Sequence, residues 1–202
     1  MSYNYHINQT TLKILGLFRN DYKTSFYLRE IARNVHIDAK AVGLQLNRLE
    51  KVNIVKSLHK GKNKEHTLNL NNFLTLYYLV LAETFTTLEY LNRNFEIKKL
   101  VGETNEKMGK TAILFGSFAK ENMTKESDID ILIIDNEKSD LTILKELGNL
   151  LSREVNVKLM SEEQFTNGLV IKDPLVQEIA ANHIILKGID NYCNMLWRYY
   201  AK

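Results

Sequence analysis

Gly116-Ser117-Phe118-Ala119, followed after a short spacer by Ser127-Asp128-Ile129-Asp130-Ile131-Leu132-Ile133-Ile134, decides the reading of the C-terminal half. A turn of small residues closes an apolar run over residues 111–115. Two aspartates one residue apart then lead a second apolar run. A charge entering a buried strand is costly unless it is paired or bound to metal. Positions i and i+2 of a strand share a face, so Asp128 and Asp130 present two carboxylates side by side. That arrangement favours a hard divalent cation, which takes carboxylate oxygens as ligands. The Gly116-Ser117 turn offers backbone N–H groups and the Ser117 hydroxyl to phosphate oxygens at a helix start.

Gly-Ser, a spacer, and Ser-Asp-Ile-Asp-Ile-Leu-Ile together resemble the DNA polymerase β-like nucleotidyltransferases, closest to their minimal domains. The resemblance implies a small mixed sheet with flanking helices. It also implies a nucleoside triphosphate, by expectation ATP, on Gly116, Ser117 and Ser127. Mg2+ or Mn2+ would sit on Asp128 and Asp130, the catalytic pair. Active members of that superfamily carry a third carboxylate on the strand next to the aspartates. The matching strand here is residues 155–160, and Asn156 stands where the acid would fall. The third acid holds the metal that activates the attacking hydroxyl, and a neutral amide cannot take a proton. Losing that role costs several kcal/mol of barrier, on a scale where about 1.4 kcal/mol is tenfold in rate. Glu154 shares the strand face and is the alternative third acid.

The remaining elements of this half follow from pattern. Strands are expected at 111–115, 128–134, 155–160 and 184–186. Helices are expected at 118–122, 140–154 (Leu141, Leu144, Leu147 and Leu151 inward), 173–181 and 189–200, with Pro174 in a first turn.

The chain has 202 residues, 45% of them hydrophobic, and a net charge of +3. Its single cysteine, Cys193, forms no internal disulfide, which suits a reducing, cytoplasmic setting. No apolar segment is long enough to cross a membrane. The charge is uneven: residues 1–70 hold twelve Lys and Arg against five Asp and Glu, or +7, and the remainder carries −4. A basic front on an acidic remainder suggests contact with a polyanion.

Within that front, apolar spacing predicts helices at 8–22, 27–35 and 38–52, the last capped by Asp38 with Val42, Leu46 and Leu49 inward. Strands follow at 54–58 and 65–70 across a lysine-rich turn. The run Ala41–Val55 and the hairpin after it resemble a winged helix-turn-helix domain. Asn53 stands where that family has Gly, and Asn tolerates the left-handed helix end. The resemblance implies double-stranded DNA as partner. The third helix would enter the major groove and the hairpin would ride on phosphates. Lys40, Gln45, Asn47 and Arg48 are then the helix contacts, and Lys56, Lys60, Lys62 and Lys64 the wing contacts. Leu44 on the outer face suits a thymine methyl or a protein partner.

Residues 71–100 read as a long connector helix, broken near Asn92-Arg93-Asn94. Phe73, Tyr77, Leu81 and Phe85 lie on one face of it. It either packs within the chain or pairs with a second copy in a homodimer. The expected organisation is α+β: a winged helix over 1–70, the connector, and a nucleotidyltransferase-like domain over 101–202. Three functional readings follow. One is a DNA-binding transcriptional regulator that binds Mg–nucleoside triphosphate. Another is an active transferase that moves AMP to a toxin-type protein partner or a small molecule. The last is a non-catalytic interaction module.

Overall fold

A computed structural model describes residues 7–61, 63–135, 148 and 153–201. The expected helix over 140–154 and the proposed DNA contact Lys62 lie largely or wholly outside those residues. The chain divides into two compact units, one ending at Phe85 and one spanning Thr86–Tyr200.

The first unit opens with α1 (Gln9–Gly16), whose N-cap Asn8 side chain accepts from Thr11 N–H. This helix ends at Gly16, six residues short of expectation, and a series of turns carries the chain to β1 (Ser25–Tyr27). Then come α2 (Leu28–Val35), α3 (Ala39–Lys51), β2 (Val55–Lys60) and β3 (Asn63–Leu68). Asp38 caps α3 by accepting from the N–H groups of Lys40 and Ala41. Val42, Leu46 and Leu49 are buried as the periodicity requires. Asn53 has φ 60°, the left-handed value its amide side chain tolerates. The three strands form an antiparallel sheet in the order β1-β3-β2.

The connector is two helices. α4 (Leu74–Arg93) and α5 (Phe95–Thr104) are separated at Asn94, inside the predicted break. Phe73, just ahead of α4, and Tyr77 and Leu81 on it leave 66, 61 and 41% of their surface exposed. Phe85 is only half-buried. No helix among the described residues is long and apolar enough to cross a membrane.

In the second unit, a one-turn 3-10 helix (Asn105–Lys107) precedes β4 (Thr111–Phe115), α6 (Gly116–Ala119) and β5 (Ile129–Ile134). After residue 153 come β6 (Val155–Met160), α7 (Glu162–Ile171), α8 (Pro174–Ala181), β7 (Ile184–Lys187) and α9 (Ile189–Tyr200). The sheet order is β6-β5-β4-β7, with β5 and β6 parallel and the other pairs antiparallel. This is the small mixed sheet that the resemblance implies. β4 and β5 read as nearly unbroken apolar runs because both their faces are covered. One face packs Ala112, Leu114, Ile129, Ile131 and Ile133 against Tyr90, Ile97 and Leu100. Alternation therefore sends Asp130 to the opposite face.

Candidate active site

β5 enters the sheet next to β6 in parallel register, with Asp130 opposite Asn156. On its other side β5 pairs with β4, which sets Asp130 opposite Phe115 and hence beside Gly116. Two strands and one turn thus converge on the aspartates. Asn156 Nδ2 donates to Asp128 Oδ2 at 3.3 Å and to Asp130 Oδ1 at 3.5 Å. The amide sits between two carboxylates that would otherwise face each other with no cation.

Burial pushes the Asp130 carboxyl above its ordinary range. The Asn156 hydrogen bond opposes that, and the nearby Asp128 charge adds to the rise. Glu154 is exposed, and its carbonyl rather than its carboxylate is engaged, accepting from Ile129 N–H at 2.8 Å. Among the described residues no three His, Cys, Asp or Glu side chains gather into a metal-ligating group. The side chain that meets both aspartates from β6 is thus an amide, while the Glu154 side chain is exposed.

Gly116 has φ +69°, and a Cβ there would lie 2.4 Å from Asp130 Oδ2. Only glycine lets the turn pass so close to the carboxylate. The Ser117 hydroxyl has no hydrogen-bond partner among the described residues. Ser127 is committed locally, since its Oγ accepts from Thr124 N–H at 2.8 Å. We expect Gly116→Ala to cost about 1–3 kcal/mol in backbone strain and to push Asp130 out of place. Chemical denaturation checks the first effect and nucleotide titration the second.

A clamp that no residue pattern announced holds this arrangement. Arg153 Nη1 donates to the carbonyls of Thr124, Lys125 and Ser127 at 2.8, 2.6 and 3.1 Å. Its Nε reaches Glu96 Oε2 at 3.2 Å, and its guanidinium carbon lies 5.4 Å from the Phe118 ring centroid. One arginine thus ties the loop before Asp128 to α5 and α6. Glu121, left-handed at φ 53°, ends the turn after α6, and its carboxylate takes both Arg93 Nη groups.

Residues 96–186 match the family model described as a nucleotidyltransferase domain. The match runs from α5 through β7 and so contains both aspartates, the Gly-Ser turn, the clamp and Asn156. No curated protein and no solved structure matches the chain. Nucleotidyltransferase domains generally use a nucleoside triphosphate and a divalent metal. The donor set fits such a metal: Mg2+ is held through one or two carboxylates and completes its shell with water and substrate phosphate.

In the first unit, Lys40, Asn47, Arg48, Lys56 and Lys60 are exposed, and Leu44 leaves 52% of its surface open. Gln45 corrects the sequence expectation. It is buried, accepts from Thr11 Oγ1 at 3.2 Å, and turns toward α1 rather than outward. Its place at the edge of the stripe left that direction to α1, whose packing the helical period does not encode. Lys60 pairs with Glu65 at 2.7 Å, and Lys64 with Glu50 at 2.8 Å.

Proposed function

We propose that this chain is a DNA-binding regulator whose nucleotidyltransferase domain binds a Mg–nucleoside triphosphate, by preference ATP, without efficient transfer. The first unit acts as a winged helix on double-stranded DNA. One observation carries the reading of the second unit: Asp128 and Asp130 share a face, and Asn156 occupies the place of a third acid. Asp128 and Asp130 would hold the cation, and Gly116 and Ser117 would meet the β- and γ-phosphates. The cation would neutralise charge on the triphosphate. Asn156 orients the two carboxylates but accepts no proton from an incoming hydroxyl. The exposed Phe73, Tyr77 and Leu81 row supports a homodimer as part of the same reading.

Three helices, an antiparallel hairpin and an outward row of Lys40, Asn47 and Arg48 support the DNA side. Gel shifts with short duplexes at two salt concentrations test it. Binding that is absent even at low salt removes it, because phosphate contacts dominate there.

A second reading, transfer of AMP to a protein such as a partner toxin or to a small molecule, is favoured by the two intact carboxylates. Incubation with labelled ATP, Mg2+ and candidate partners separates the two. Label transfer that vanishes in Asp128→Ala overturns the non-catalytic reading. Under that reading, Asn156→Asp restores the third carboxylate and raises transfer at least tenfold, about 1.4 kcal/mol of barrier or more. An unchanged rate in that variant means Asn156 is not what limits catalysis.

A further inference from the structure

A cleft of about 630 Å3 opens in the first unit between α2, α3 and β3. Arg29 and Arg33, one turn apart on the same face of α2, line it together with Lys64 and His66 of β3. Neither guanidinium has an ion pair or hydrogen bond among the described residues. Lys64 is held by Glu50 at 2.8 Å, which keeps a third cation at the cleft while cancelling part of its charge. Glu30 is the acid in the lining, and its Oε2 is engaged by Tyr27 N–H at 3.3 Å. His66 is 2% exposed, and its Nδ1 lies 3.2 Å from Glu50 Oε1.

Two unpaired guanidinia on one helix face form a fork suited to phosphate oxygens, which arginine grips in bidentate fashion. The cleft volume lies within the range of small-ligand sites. Lys64 and His66 alternate onto the same side of β3, so the strand adds polar wall rather than apolar cover.

We propose that this cleft binds a phosphate group, gripped by Arg29 and Arg33 beside buried His66. The phosphate belongs either to a free phosphorylated small molecule or to a DNA backbone. Only the backbone form rests on the DNA-binding reading above.

The test uses the full chain and the double variant Arg29→Gln/Arg33→Gln, with folding of the variant checked by circular dichroism and thermal unfolding. Arg33→Gln alone serves if the double variant unfolds. Inorganic phosphate, pyrophosphate and a short duplex are titrated separately. The imidazole resonances of His66, assigned through His66→Gln, provide the readout. A His66 response to pyrophosphate that weakens at least tenfold in the arginine variant supports the free-phosphate source. No response to either small anion, with a response to duplex that is lost in the variant, supports the backbone source. The log–log salt slope of duplex binding should then fall by about one or two contacts. Duplex binding that fails while pyrophosphate binding persists removes the DNA reading and leaves the cleft intact. No His66 response to any of the three, or responses equal in wild type and variant, overturns the proposal.

Discussion

Asp130→Ala is expected to weaken Mg2+-dependent nucleotide binding at least a hundredfold without lowering the stability of the apo protein. Binding falls because the variant keeps one carboxylate where two oxygen donors on one face would hold the cation. A hundredfold loss corresponds to about 2.7 kcal/mol. Stability behaves differently because the raised Asp130 carboxyl is ionised at a cost when no cation is present. A carboxyl that binds protons more tightly folded than unfolded disfavours the folded state at neutral pH, and that penalty fades as pH falls through its raised value. Alanine removes the penalty, so the apo melting temperature is expected to hold or rise. Nucleotide affinity in the wild type should also fall with acidification sooner than ordinary carboxylates would allow, because protons compete for Asp130. Titration of a fluorescent nucleotide with and without Mg2+, across pH, checks both effects. A variant that melts earlier and binds normally would assign Asp130 a structural role instead.

The second large effect lies in the first unit. Arg19 Nη2 meets Glu83 Oε2 at 2.9 Å, and the side chains are 13 and 1% exposed. Removing one partner of a buried pair leaves the other charge poorly compensated, at about 3–5 kcal/mol. Glu83→Ala should therefore shift urea unfolding by that amount. The exposed Arg93–Glu121 pair, at 63 and 47%, provides the comparison. Glu121→Ala should cost under about 1 kcal/mol, since water already screens that pair. Equal costs at the two sites would mean that burial does not set the difference.

Much of the second unit was legible because β4 and β5 are covered on both faces. β4 and β6 fall on their predicted limits, as does α9. Asp173 caps α8 with Pro174 in its first turn, as the sequence indicated. α7 went unpredicted although its signal was present: Ser161 and Gln164 form a capping box ahead of Phe165 and Leu169. β1 has three residues, too few to show a period, and exists because β3 offers it an edge. The pairing of β7 with β4 is likewise non-local, and no local pattern encodes it.

Of the candidate site, the paired aspartates and the glycine turn stand out by residue type and spacing, and Asn156 through the family resemblance. The fit between them does not. That Asn156 bridges both carboxylates depends on the parallel register of β5 and β6. That Arg153 secures the preceding loop depends on three backbone carbonyls, which carry no side-chain identity.

On this reading Asp128 and Asp130 together would hold a divalent cation with a nucleotide. Mn2+ electron paramagnetic resonance, with ATP present, tests it most directly on the wild type and on Asp128→Ala/Asp130→Ala. The expected result is one nucleotide-dependent bound Mn2+ per wild-type chain and none in the folded double variant. Equal Mn2+ binding by the two proteins would contradict it.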